Sequence, residues 1–102
     1  MKIKLDTEIV EIYWGHIRAL AIKGINIDEV PYSYRTSCSI KINDKVVFSS
    51  YAYCSKKDQF SKKKGRKISL TRALEFFVEK EVRKIIWQEY FKQWKIISKR
   101  IK

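Results

Sequence analysis

Two runs of alternating residues, Tyr34 to Ile42 and Val46 to Cys54, flank the short segment Asn43-Asp44-Lys45. Alternation with a period of two marks a strand whose two faces differ, and Asn and Asp accept the backbone angles of a tight hairpin turn. An antiparallel hairpin is therefore predicted. With Ile42 opposite Val46, Ile40 meets Phe48, Cys38 meets Ser50 and Tyr34 meets Cys54 on one face. The other face carries Arg35, Ser37, Ser39 and Lys41 beside Val47, Ser49, Tyr51 and Tyr53, a polar surface with two rings and two cations.

Helical spacing is read on both sides of this hairpin. A short strand over Ile3 to Leu5 is followed by Asp6 or Thr7 as a cap, and the run Glu8 to Lys23 reads as a helix on Ile9, Ile12, Tyr13, Ile17 and Leu20. Lys23-Gly24-Ile25 resembles a glycine C-terminal cap, although Ile9, Val10, Ile12 and Ile17 would also suit strands. At the other end, Ser69 is the expected cap of one long helix from Leu70 towards Lys99. Its apolar residues form two stripes. Leu70, Leu74, Phe77, Val78, Val82 and Ile85 make one, and Trp87, Tyr90, Phe91, Trp94, Ile97 and Ile101 make another rotated by more than a right angle. A straight helix cannot aim both at one small core. Either it bends or breaks near Ile86-Trp87, closing over its own sheet, or the second stripe meets a homo-oligomer or protein partner. The expected fold class is α+β in a single domain, residues 1–102: an N-terminal helix, an antiparallel β-hairpin or small sheet, and a long C-terminal helix.

A chain of 102 residues with 45% hydrophobic residues can bury a core without disulfides or metals, so global disorder is excluded. No apolar run approaches the ~20 residues that span a bilayer, and Met-Lys-Ile-Lys-Leu-Asp lacks a signal-peptide core, so a soluble cytosolic protein is expected. The formal charge of +12 is unevenly distributed. Residues 1–32 hold four basic and five acidic groups. Residues 56–67 hold Lys56, Lys57, Lys62, Lys63, Lys64, Arg66 and Lys67 against Asp58 alone, and residues 92–102 add Lys92, Lys95, Lys99, Arg100 and Lys102 with no acid. Clusters of this kind attract phosphate polymers.

Catalytic chemistry finds little support. His16 is the only histidine, which removes any histidine pair, and a lone histidine on an apolar element is more often packed than catalytic. Cys38 and Cys54 share a face without being opposite each other and fall short of a zinc set, so reduced core thiols are expected, with no metal and no cofactor. Glu75, Glu79, Glu81 and Glu89 stand among Lys80, Arg83 and Lys84, where surface pairing is the ordinary explanation.

The basic loop Ser55 to Lys67 joins a strand to a helix. Asp58 and Ser61 favour turns, Phe60 can anchor the loop by burying its ring, and Gly65 permits unusual backbone angles. A helix beginning near Ser69 would place free N–H groups beside Arg66, Lys67 and Arg72, an arrangement that suits phosphate. The alternative is a structural loop with Asp58 bonding backbone amides and paired to Arg72. On Cys54, Asp58, Phe60, Gly65, Ser69 and Arg72, the segment resembles a strand–loop–helix signature of small phage and prophage accessory proteins, approximately Cys-x3-Asp-x-Phe-x4-Gly-x3-Ala-x2-Arg. Ser69 replaces the alanine, and the loop is basic where many such proteins are acidic. The resemblance covers residues 54–72 and implies an accessory or anti-defence role, anti-CRISPR proteins and sponges for nucleotide signals among the examples. Ser61-Lys62-Lys63-Lys64-Gly65-Arg66-Lys67 followed by Ala73-Leu74 is also similar to the last helix of double-stranded-RNA-binding domains, which grip phosphates with such lysines, although two strands are read here where that family has three.

A non-enzymatic protein binding nucleic acid or a nucleic-acid-containing host complex is therefore expected. Lys56, Lys57, Lys62, Lys63, Lys64, Arg66, Lys67 and Arg72 would meet phosphates, with Arg35, Tyr51 and Tyr53 as stacking or secondary contacts. Two alternatives remain open: an oligomeric sponge holding a cyclic nucleotide with Arg66, Arg72 and a ring, and an inhibitor docking on a host protein through Trp87, Tyr90, Phe91, Trp94 and Ile97.

Overall fold

The structure, a computed structural model, describes residues 1–77 and 79–101, with side chains described for 1–77 and 79–94. Four strands come first: β1 (Lys2–Lys4), β2 (Ile9–Arg18), β3 (Tyr32–Ile42) and β4 (Lys45–Ser55), with a short 3-10 turn at Ala19–Ala21 after β2. Two helices follow, α1 (Lys62–Leu74) and α2 (Lys80–Ile101). The strands form one antiparallel sheet in the order β1-β2-β3-β4. The fold is α+β, but the expected N-terminal helix is overturned: strands lead and both helices are C-terminal.

The segment read as a helix over Glu8 to Lys23 is mostly β2. Val10, Ile12, Trp14 and His16 point inward and pair with Ile42, Ile40, Cys38 and Thr36 of β3. Ile9, Tyr13 and Ile17 stand on the opposite face, so apolar residues occur on both faces and mimic helical spacing. Asp6 and Thr7 do not cap a helix; they lie in the turn from β1 to β2, closed by Leu5 N–H donating to the Glu8 carbonyl at 2.8 Å. Gly24, at φ +84°, serves a turn after the 3-10 segment rather than the end of a long helix.

The hairpin pairs Ile40 with Phe48, Cys38 with Ser50 and Tyr34 with Cys54, as the alternation requires. Beyond Ile40 the register shifts, so that Lys41 meets Val46 and Ile42 meets Lys45. The turn is two residues long, with Asn43 at φ 50° and Asp44 at φ 68°, the positive pair of angles that lets a tight turn follow the twist of its strands. Asn43 also ties the turn to β2, since its Oδ1 accepts from Ile9 N–H and its own N–H donates to the Ile9 carbonyl, both at 3.0 Å.

One sheet face carries the core. Ile3, Val10, Ile12, Cys38 and Ile40 pack with Leu70, Ala73 and Leu74 of α1 and with Ile86 and Tyr90 of α2. The Met1 ammonium donates to the Ile12 carbonyl at 2.8 Å, and its partial burial holds its pKa below the ordinary value. The expected single helix from Leu70 is two helices. α1 starts eight residues earlier than read, capped by Ser61, whose Oγ accepts from Lys64 N–H at 3.2 Å. Its end tightens through Glu75, Phe76 and Phe77 N–H groups donating three residues back. The break therefore lies after Leu74 and not near Ile86-Trp87, which leaves Ile86 free to join Tyr90 in the stripe that α2 turns to the sheet. No helix among the described residues is long and apolar enough to cross a membrane.

Candidate nucleic-acid interface

The strand–loop–helix segment is held by a chain of short contacts. After β4, Asp58 N–H donates to the Ser55 carbonyl at 3.1 Å, and the Cys54 thiol approaches the Asp58 carbonyl at 3.6 Å. The Phe60 ring stacks on Tyr34 with centroids 4.0 Å apart and planes within 7°, and it meets His16 edge-on at 5.5 Å. Gly65 lies against β3 so closely that a Cβ there would come 2.2 Å from Thr36 Oγ1. Ser69 Oγ donates to the Gly65 carbonyl at 2.7 Å, while Ser50 Oγ donates to the Ser69 carbonyl at 2.6 Å. Arg72, read as a phosphate contact or alternatively as a partner of Asp58, donates to the Tyr51 carbonyl on the edge strand. Phe60, Gly65, Ser69 and Arg72 thus fasten α1 and its approach to the sheet, while Cys54 and Asp58 close the turn after β4.

The lysines stand on this frame in a different setting from the one expected. Ser69 is buried within α1, so no helix N-terminus opens there. The N-terminus is at Ser61, and Lys62, Lys63 and Lys64 form the exposed first turn, with no acidic residue among them. The second half of the segment read as a basic loop, residues 62–67, is therefore helical. Lys56 donates to the Ile27 carbonyl, Lys57 is exposed, and Lys67 lies 5.9 Å from the Phe91 ring centroid. Arg66 turns inward, its guanidinium 4.0 Å from the Trp94 ring centroid, and its buried Nε has no hydrogen-bond partner. Burial, reinforced by the charges of Arg66 and Lys62, lowers the His16 pKa, and its Nδ1 lies 2.8 Å from Thr36 Oγ1.

The outer sheet face brings together the other expected residues. Arg35 sits 4.7 Å from the Tyr51 ring centroid, and Tyr51 and Tyr53 are 6.4 Å apart. Tyr32 approaches Tyr53 at 4.7 Å. Tyr13, hidden from the sequence reading by its assignment to a helix, joins this face from β2, with Lys41 5.3 Å over its ring. Its hydroxyl bonds to Glu11, which raises the tyrosine pKa and lowers that of the glutamate. The i, i+2 spacing of Glu11, Tyr13 and Gly15 was the signal available in the sequence.

Between the two groups, at the β4 edge, lies a cavity of about 150 Å³ bordered by Tyr53, Ser55, Phe60, Ser61, Lys64 and Gly65. Comparison with protein families, curated proteins and solved structures finds no match.

The expected partner stripe divides. Tyr90 is buried in the protein's own core, Trp87 and Trp94 pack against that core, and Phe91 is 47% exposed; the Ile97 side chain lies outside the described residues. Both cysteines are free thiols, and burial pushes the Cys38 pKa up to about 12. Among the described residues, no group of three His, Cys, Asp or Glu side chains could hold a metal ion.

Proposed function

We propose that this protein binds nucleic acid, or a host complex containing it, without catalytic chemistry of its own, and grips the phosphate backbone with the basic first turn of α1. The observation that carries the reading is the run Lys62-Lys63-Lys64 at a helix N-terminus. The helix dipole disfavours cations there by ~0.3–1 kcal/mol each, so the lysines work against the stability of the helix that holds them. A phosphate reverses that sign, because it is drawn both to the lysines and to the helix end. Lys57 and Lys67 extend the positive surface along the loop and helix. The resemblance to phage and prophage accessory proteins suggests the setting: the cytoplasm of a host cell, with an anti-defence, anti-CRISPR-like inhibitor as the role.

The two alternatives draw less support. An oligomeric sponge would enclose a cyclic nucleotide between subunits with Arg66, whereas that guanidinium lies against the Trp94 ring and its Nε is buried. Docking through α2 needs a presented aromatic stripe, whereas Tyr90 belongs to the internal core.

Fluorescence anisotropy with labelled duplex and single-stranded oligonucleotides tests the reading. Lys62→Glu/Lys63→Glu/Lys64→Glu should weaken binding about tenfold or more while the melting temperature holds or rises, since all three side chains are exposed and carboxylates suit a helix N-terminus. Affinity should also fall steeply with salt. Salt-insensitive binding, or a triple variant that binds as the parent does, refutes it.

A further inference from the structure

Both helices pack on one face of the sheet, and the opposite face presents rings that the core does not use. Tyr13, Tyr51 and Tyr53 are 46%, 40% and 51% exposed. Between them the floor is made of small residues: Ser37 Oγ bonds to the Gly15 carbonyl at 3.4 Å, and Ser39 and Ser49 hydroxyls lie 3.3 Å apart. The small floor leaves a flat ring room between the tyrosines, with Lys41 and Arg35 lying over Tyr13 and Tyr51. The charge on this face is one-sided. Lys2, Lys4, Arg35 and Lys41 stand on it against Glu11, with Asp44 of the hairpin turn beside Glu11 and Tyr13. The Arg35 Nε is buried without a hydrogen-bond partner, and its guanidinium lies over Tyr51.

We propose that the outer sheet face is a stacking platform for a single strand of nucleic acid, which crosses the β4 edge at Tyr53 and continues onto the lysines of α1. This rests on the nucleic-acid reading above and specifies the form of the polymer. Exposed rings flanked by cations match a chain that offers unpaired bases and phosphates in alternation. A duplex hides its base faces, and the platform has no projecting element to enter a groove. Continuity comes from Tyr53, which belongs to the platform and also borders the edge cavity together with Lys64.

The test uses fluorescein-labelled oligothymidine of about fifteen nucleotides, within the range of strand lengths that such surfaces cover. A duplex and an oligouridine of the same length form the comparison arms. Tyr51→Ala/Tyr53→Ala should weaken oligothymidine binding about tenfold or more, while Tyr51→Phe/Tyr53→Phe, which keeps both rings, should bind within about twofold of the parent. Duplex binding should change by no more than about twofold in either variant. Photocrosslinking of the unaltered protein to oligodeoxyuridine carrying bromine on its bases needs no substitution, and the adducts should map to Tyr13, Tyr51 or Tyr53. Crosslinks confined to the helices, or oligothymidine and oligouridine binding both indifferent to loss of the rings, would each overturn the proposal, and the tighter bound of the two oligomers assigns the strand to DNA or to RNA. Single-strand binding that depends on the α1 lysines and not on the tyrosines overturns the platform alone. Failure to bind both duplex and single strand overturns the nucleic-acid reading with it.

Discussion

Gly65 shows how a single position can act through packing and not through backbone freedom. It lies inside α1, where alanine would ordinarily be preferred by roughly 1 kcal/mol. A Cβ would, however, come 2.2 Å from Thr36 Oγ1 and 2.9 Å from Thr36 Cβ, atoms fixed close to the β3 backbone. Overpacking of that kind costs about 1–3 kcal/mol and outweighs the helix preference. Gly65→Ala is expected to destabilise the protein in denaturant titration. Adding Thr36→Ala should recover part of the loss, because Oγ1 and Cγ2 go while Cβ stays. His16 makes a second residue-scale prediction. Its pKa is lowered from the ordinary 6.5, first by burial and then by Arg66 and Lys62, so the unfolded chain takes up the proton more readily than the folded one. Stability is then complete above pH 6.5, falls as the pH drops below it, and levels off once the folded imidazole is itself protonated. The corresponding portion of the stability–pH curve should flatten in His16→Gln.

Among the elements, the β3–β4 hairpin was the most legible, because its signals are local: alternation sets the faces and Asn43-Asp44 supplies the turn. Even there, the register shift beyond Ile40 was not readable, since sliding the last pairs moves only residues at the strand ends. Both turn residues hold positive φ, a conformation strained for side chains with a Cβ and eased by glycine. Asp44→Gly should stabilise the protein by about 0.5–1 kcal/mol. Asn43→Gly relieves similar strain but loses the bond from Ile9 N–H, worth about 1 kcal/mol, and should come out less stable than Asp44→Gly in thermal melts. The helices were harder to read. Neither glycine nor proline marks the break after Leu74, and the two apolar stripes that required a break did not locate it. Ser61 and Ser69 both have the chemistry of a cap, and only Ser61 has helix on one side alone.

At the scale of the whole molecule, the sheet separates two kinds of surface. Its inner face is closed by α1 and α2, and its outer face is left to tyrosines, serines and cations. The pairing of Arg35 with Tyr51 and Tyr53 followed from strand alternation and was legible in advance. Tyr13 became their neighbour only through β3, which lies between the strands that carry them. The signature residues 54–72 were visible as a motif, but their work as fasteners depends on His16, Tyr34, Thr36 and Ser50, all distant in sequence. Likewise the lysines were visible as a cluster, whereas their position on the first turn of α1, across the β4 edge from Tyr53, is a property of the assembled fold.

The sequence by itself determined the hairpin, the helical character of much of the C-terminal third, and the concentration of charge in residues 56–67, because each arises from neighbours along the chain. Tertiary structure decided that residues 9–18 are a strand. Their apolar residues suit either a helix or a strand, and β3 resolves the ambiguity by offering Ile42, Ile40, Cys38 and Thr36 as partners for Val10, Ile12, Trp14 and His16. It also decided where α1 begins and ends, since burial of Leu70, Ala73 and Leu74 against the sheet and the close approach at Gly65 fix the helix from outside its own sequence.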